Sequence, residues 1–101
     1  IEQARLISLV TQDLKAAQHF IHQVLGKLIA ADTVLQHSAR VYIQCSCNAS
    51  LAAQQLFVHR NTLLRRLEQI NQLLPKPLEQ HLLDVGIALE ILEWLSPENN
   101  P

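Results

Sequence analysis

Between Asp13 and Leu28 the apolar residues Leu14, Ala17, Ile21, Val24 and Leu28 follow one another in steps of three and four. That is the spacing of one buried stripe on an α-helix, and Asp13 is a residue type that caps a helix start. The stripe spans about two heptads, fewer than a coiled coil needs, so it serves either a domain core or a short dimer seam. Ahead of it, residues 2–11 carry Leu6, Leu9 and Val10 in a shorter amphipathic stretch. Gly26 lies near the end of the second segment, and Asp32-Thr33 opens a third. There Thr33 and Gln36 fit a capping box, ahead of Val34, Leu35, Val41, Tyr42 and Ile43. Asn48 and Ser50 are N-cap types preceding a short helix with Leu51, Ala52, Ala53 and Leu56. Phe57-Val58-His59 is a tight connection to a helix from Arg60 to Leu74, which Pro75 and Pro77 stop. Leu78 to Leu95 is a last, strongly apolar helix, ended by Ser96-Pro97, with Gly86 marking close helix packing. The pattern predicts an all-α domain of about six helices.

Composition agrees. The 101 residues suffice for one domain, and 49% are hydrophobic but only 4% aromatic, so Leu, Ile, Val and Ala must build the core. Two Gly and four Pro leave few breaks. No apolar run approaches the roughly 20 residues of a bilayer crossing, and the chain contains no basic stretch followed by an apolar run and a small-residue cleavage site, which predicts a soluble, cytoplasmic protein without a membrane partner. The chain starts at Ile1 and contains no Met, which predicts either a processed chain or a fragment of a longer protein, in which a sensing domain would lie upstream.

Charge changes the picture more. The net charge is −1, but residues 33–67 carry Arg40, Arg60, Arg65 and Arg66 with no Asp or Glu, while residues 68–101 sum to −5. A positive middle beside an acidic end suits a one-sided polyanion-binding surface, or an ordinary solvated face. Two helices with a three- or four-residue turn, the second exposing cations, form the unit that enters a DNA major groove. At about 100° per residue, Leu63, Leu67, Ile70 and Leu74 make the buried stripe of the second helix. Asn61, Arg65, Gln69 and Gln72 fall opposite, with Thr62 and Arg66 on one flank and Leu64 partly outward. Amide, hydroxyl and guanidinium groups are the types that reach base edges and phosphates. Asn61 and Thr62 lie in the first turn, where free backbone N–H groups favour a phosphate. His59 is either the cap of this helix or a DNA contact, or both; Arg66 either packs its stem along the helix or meets a phosphate.

The string Asn48-Ala49-Ser50-Leu51-Ala52-Ala53-Gln54-Gln55-Leu56-Phe57-Val58-His59-Arg60-Asn61-Thr62-Leu63, followed by Arg66-Leu67 and Ile70, resembles the C-terminal helix-turn-helix of the PucR family, which includes CdaR-type sugar-diacid regulators. Leu25-Gly26-Lys27-Leu28, Asp32, Leu35, Ser38, Arg40, Tyr42, Ala88 and Leu89 extend the likeness over residues 20–93. The turn and second helix also resemble those of the Fis nucleoid protein, which implies a Fis-like helix-turn-helix. By that likeness His59 and Arg60 read bases while Thr62, Arg65 and Arg66 hold phosphates. The candidate DNA-binding residues are thus Asn48, Ser50, His59, Arg60, Asn61, Thr62, Arg65, Arg66 and Gln69. The resemblance implies a bacterial transcriptional regulator that binds double-stranded DNA, a homodimer in the full-length protein, and an effector-sensing domain upstream. Residues 1–19 would be the approach from that domain, 20–95 the DNA-binding domain with its motif at 48–74, and 96–101 a tail. Cys47 stands where the family often has Gly, Lys27 where it has Pro, and Leu64-Arg65 where it has a basic or polar residue followed by Tyr. The loop before Asn48 and the base preference are therefore not inherited.

Other chemistry finds little support. Cys45 and Cys47 are too close for an ordinary disulfide and lack the spacing of a zinc pair, so two reduced thiols are expected, with no metal and no cofactor. His19, His22 and His81 have no partners at catalytic spacing, and no Gly-rich phosphate loop, Ser elbow or carboxylate pair occurs, which argues against an enzyme. The alternative is a helical dimerisation or protein-docking module that binds no DNA, using the 14–28 stripe or the 78–95 helix.

Overall fold

The structure, a computed structural model, describes residues 13–95. Within them lie five α-helices: α1 Leu14–Leu25, α2 Thr33–Gln44, α3 Ala49–Leu56, α4 Arg60–Leu73 and α5 Leu82–Trp94. Two 3₁₀ turns, Gly26–Ala30 and Leu78–Gln80, link α1 to α2 and α4 to α5. Among the described residues there is no strand. The all-α expectation holds, and five of the six expected segments have their helix; the segment at 2–11 lies outside the described residues, as does the Ser96-Pro97 stop.

Local chemistry sets each boundary. Asp13 caps α1 by accepting from the Ala16 N–H at 3.1 Å. Gly26 ends that helix at φ 54°, and a Cβ there would sit 3.0 Å from Pro75 Cγ. Both the backbone conformation and the space demand glycine. At the start of α2 the capping box does not form. Asp32 is the cap, its Oδ1 accepting from the Val34 N–H at 2.9 Å. The Gln36 amide instead donates to the Leu28 and Ile29 carbonyls, both at 3.0 Å. The Leu28 carbonyl also accepts the Ala31 N–H at 3.2 Å, so Gln36 adds a second bond there and a first side-chain bond at Ile29, tying α2 to the 3₁₀ turn. Helix α4 ends one residue before Leu74, because Pro75 forces the residue ahead of it into extended backbone (φ −75°, ψ 146°).

The single helix expected over Leu78 to Leu95 is broken. Leu78 donates its N–H to Asn71 Oδ1 at 2.9 Å and buries its side chain, while His81 turns the backbone to φ −148° before α5 begins. The polar Glu79-Gln80-His81 lies at that break, while Leu78 and the α5 residues on either side of it enter the same core.

The main core joins Ala17, Ile21, Leu25 and Leu28 to Ala39, Ile70, Leu74, Val85, Ala88, Leu89 and Ile91. Ala17, Ile21, Val24 and Leu28 of the stripe are thereby packed inside the domain, while Leu14 at its start is exposed. Fully buried leucines and isoleucines such as Leu25 and Ile70 are each worth about 2–5 kcal/mol against alanine. A Cβ added at Gly86 would meet Ile43 Cγ2 at 3.5 Å, an ordinary packing distance, so the packing of α5 on α2 does not require the glycine that the sequence marked for close approach. A smaller core of Val41, Cys45, Ala52, Ala53 and Leu63 fastens α3 and α4 to α2.

Candidate nucleic-acid interface

The helix-turn-helix pair is built by caps and small residues. Asn48 adopts extended backbone, and its Oδ1 accepts from the Leu51 N–H at 3.0 Å, starting α3. Ala52 and Ala53 are buried, and their size lets α3 cross α4 over Leu63. Phe57 ends α3 in left-handed backbone (φ 57°, ψ 41°), where the Phe57 N–H reaches Gln54 O and the Val58 N–H reaches Ala53 O. Two residues later His59 returns to extended backbone, and its Nδ1 accepts from the Asn61 N–H at 3.1 Å, so the ring caps α4. The cap expectation for His59 is met. A neutral ring whose Nδ1 accepts carries its proton on Nε2.

The loop ahead of α3 keeps the glycine-like conformation without glycine. Ser46 (φ 55°) and Cys47 (φ 62°) are both left-handed, and the Cys47 N–H closes onto Tyr42 O at 2.9 Å. Both cysteines are free thiols, Cys45 buried and Cys47 half-buried. Burial raises the Tyr42 phenol above its ordinary pKa, and the neighbouring Cys47 adds to the rise.

On α4, Leu63 and Ile70 are fully buried and Leu67 is half-buried, as the stripe predicts. His59, Arg60, Asn61, Arg65 and Gln69 are exposed, and Thr62 is half-buried beside them. These six occupy the start and outer side of one helix. Asn48 and Ser50 are exposed on a different element, the first turn of α3, and the Asn48 carbonyl oxygen is already committed to its cap. Glu68 is also exposed on the outer half of α4 and sets a carboxylate among the polar groups.

Two of the four arginines of the positive middle are half-buried and bonded to other helices. Arg40 forms a forked ion pair with Glu90 of α5, Nε to Oε1 at 2.6 Å and Nη2 to Oε2 at 2.9 Å, with Glu93 Oε1 3.7 Å from Nη1. The Glu90 bond raises the Arg40 pKa still further. Its charge is neutralised locally, so the sequence sum of +4 overstates the positive face. Arg66 turns back to α2, where its Nη1 donates to Ser38 Oγ at 3.1 Å. Of these four arginines, Arg60 and Arg65 are the two that are exposed. Residue counting missed Glu90 as the neutralising partner, 50 positions from Arg40. It also passed over Ser38, although a hydroxyl on the apolar row between Leu35 and Val41 was a visible signal.

Comparison with known proteins follows the same outline. The family model of the PucR C-terminal helix-turn-helix domain matches residues 35–91, which leaves the Leu25-Gly26-Lys27-Leu28 element outside the match. The chain is also similar to the purine catabolism regulatory protein of Bacillus subtilis (strain 168), 38% identical over 71 residues. That alignment takes in 70% of this chain and 13% of the relative, so the chain corresponds to a small part of the relative's length. No solved structure matches.

Proposed function

The chain belongs to the family of PucR C-terminal helix-turn-helix domains, and from that membership we propose that it binds double-stranded DNA sequence-specifically, with α4 in the major groove, as part of a bacterial transcriptional regulator. The observation that carries this is the exposed set at the start and outer side of α4. His59, Arg60, Asn61, Arg65 and Gln69 stand on a helix held by a three-residue turn, with its apolar side buried beneath them. We read this as a helix-turn-helix of the Fis-like kind, in which the second helix would read base edges and guanidinium groups would hold phosphates. Asn48 and Ser50 at the start of α3 would meet the phosphate backbone alongside.

In this proposal the regulator is a cytoplasmic homodimer that reads two half-sites about one helical turn apart. Residues 1–19 are the approach from an effector-sensing domain upstream. The domain works without cofactor or metal and is not an enzyme. A docking role for α5 has one supporting observation, since Leu83 and Trp94 stand 74% and 53% exposed on its outer side.

The test is fluorescence anisotropy on mixed-sequence duplex DNA across a salt series, with wild type beside an Arg60→Ala/Arg65→Ala variant. Salt-sensitive binding that the double change abolishes is the expected result. Indifference to DNA in a folded sample at low salt and high protein concentration would leave α5 docking as the better account.

A further inference from the structure

Ser38 is the one fully buried polar side chain among the described residues. It lies midway along α2, and its hydroxyl proton goes to the Val34 carbonyl at 2.7 Å. With its proton spent, Ser38 Oγ can only accept from Arg66, which it does at 3.1 Å. Serine is a poorer helix former than alanine, and the i−4 back-bond adds nothing that the backbone lacks. Alanine would fit the same space. The Arg66 bond is therefore what the hydroxyl contributes.

Arg66 is half-buried and follows Thr62 by four positions and precedes Gln69 by three, so the three share one row along the edge of the exposed face of α4. A long arginine side chain loses rotamer freedom when it grips a phosphate, and an arginine already held loses less. One N–H at Nη1 is committed to Ser38, and the rest of the guanidinium fork remains to meet an anion. We infer that Ser38 is a positioning residue for DNA binding: its buried hydroxyl holds the Arg66 guanidinium at the edge of α4 as a preset clamp for a backbone phosphate. This rests on the DNA-binding proposal for α4. It adds that an α2 residue, 28 positions away and out of reach of DNA, tunes the affinity.

The test uses the whole chain as Ser38→Ala, Arg66→Ala, the pair combined, and Arg60→Ala/Arg65→Ala, each titrated onto mixed-sequence duplex across a salt series. Arg66→Ala removes a phosphate contact and should lower the slope of log Kobs against log salt by about 0.9. Ser38→Ala keeps the charge, so its slope should stay at the wild-type value while affinity falls about three- to tenfold. In the Arg66→Ala background, Ser38→Ala should cost nothing more, and thermal melting should show Ser38→Ala folded. Wild-type affinity for Ser38→Ala overturns the inference. So does a loss that is equally large with Arg66 absent, since Ser38 would then act without the Arg66 bond. If Arg60→Ala/Arg65→Ala binds like wild type, the DNA-binding proposal itself falls, whatever Ser38 does.

Discussion

Replacing His59 separates two jobs that one ring performs. Its Nδ1 accepts the Asn61 N–H at 3.1 Å, which satisfies one of the orphan donors at the start of α4. The neutral ring then holds its proton on Nε2, a donor positioned at the tip of the proposed recognition helix. Asparagine, serine and aspartate are the common caps, so histidine brings no advantage as a cap alone. His59→Ala removes cap and donor together. Loss of a cap costs about 1 kcal/mol, which for a domain of this size lowers Tm by roughly 4–8 °C. His59→Asn restores a cap with its Oδ1 but lacks the imidazole donor, so its Tm should stay within about 2 °C of wild type. Both variants should lose DNA affinity by a similar factor, about three- to tenfold, for one hydrogen bond. Circular dichroism melts and anisotropy titrations at one fixed salt concentration read the two effects independently. Should His59→Asn melt as low as His59→Ala, the cap is not what stabilises α4. Should His59→Asn bind DNA like wild type, the ring is a cap and nothing more.

The other predictions concern the scaffold. Glu90→Gln breaks the forked bond to Arg40, whose side chains are 14% and 27% exposed, between a surface pair and a buried one; urea unfolding should show a loss of about 1–3 kcal/mol, and a loss below about 0.5 kcal/mol would reduce the bridge to a surface contact. Phe57 holds left-handed backbone while its ring is 94% exposed, so little packing offsets the strain; Phe57→Gly should stabilise the domain by about 0.5–1 kcal/mol, and a destabilised variant would show that the ring makes a contact worth more than the strain. Tyr42 is the chain's one tyrosine, so phenolate absorbance reports it alone. Its pKa is raised in the folded state, so the stability it contributes is complete below the ordinary phenol value of about 10 and is lost as pH climbs through the folded value. A phenolate titration at or below that of free tyrosine would contradict its burial.

Much of the fold was written in local pattern. Steps of three and four placed Ala17, Ile21 and Leu28 in the core, and Leu63 and Ile70 beneath α4, because helix periodicity alone selects a face. Asp13, Asn48 and His59 marked helix starts, since a cap bonds an N–H only two or three residues away. Pro75 marked an end through a constraint on its immediate neighbour. The outward face of α4 was legible for the same reason. Where competing partners lay beyond the local turn, pattern failed. Gln36 left Thr33 for carbonyls of the preceding 3₁₀ turn, and Asn71 pinned Leu78 and broke the last helix into two pieces. The four arginines of residues 33–67 look alike in sequence because a charge count is blind to distance. Tertiary packing divides them, since Glu90 reaches Arg40 across 50 residues and Ser38 reaches Arg66 across 28, while Arg60 and Arg65 stay exposed. The sequence by itself determined which residues form helices and which side of each is apolar, because those are properties of neighbours along the chain. Which polar groups remain available for a partner was decided only when the helices met, because an ion pair or a buried hydroxyl exists only between elements brought within about 3 Å.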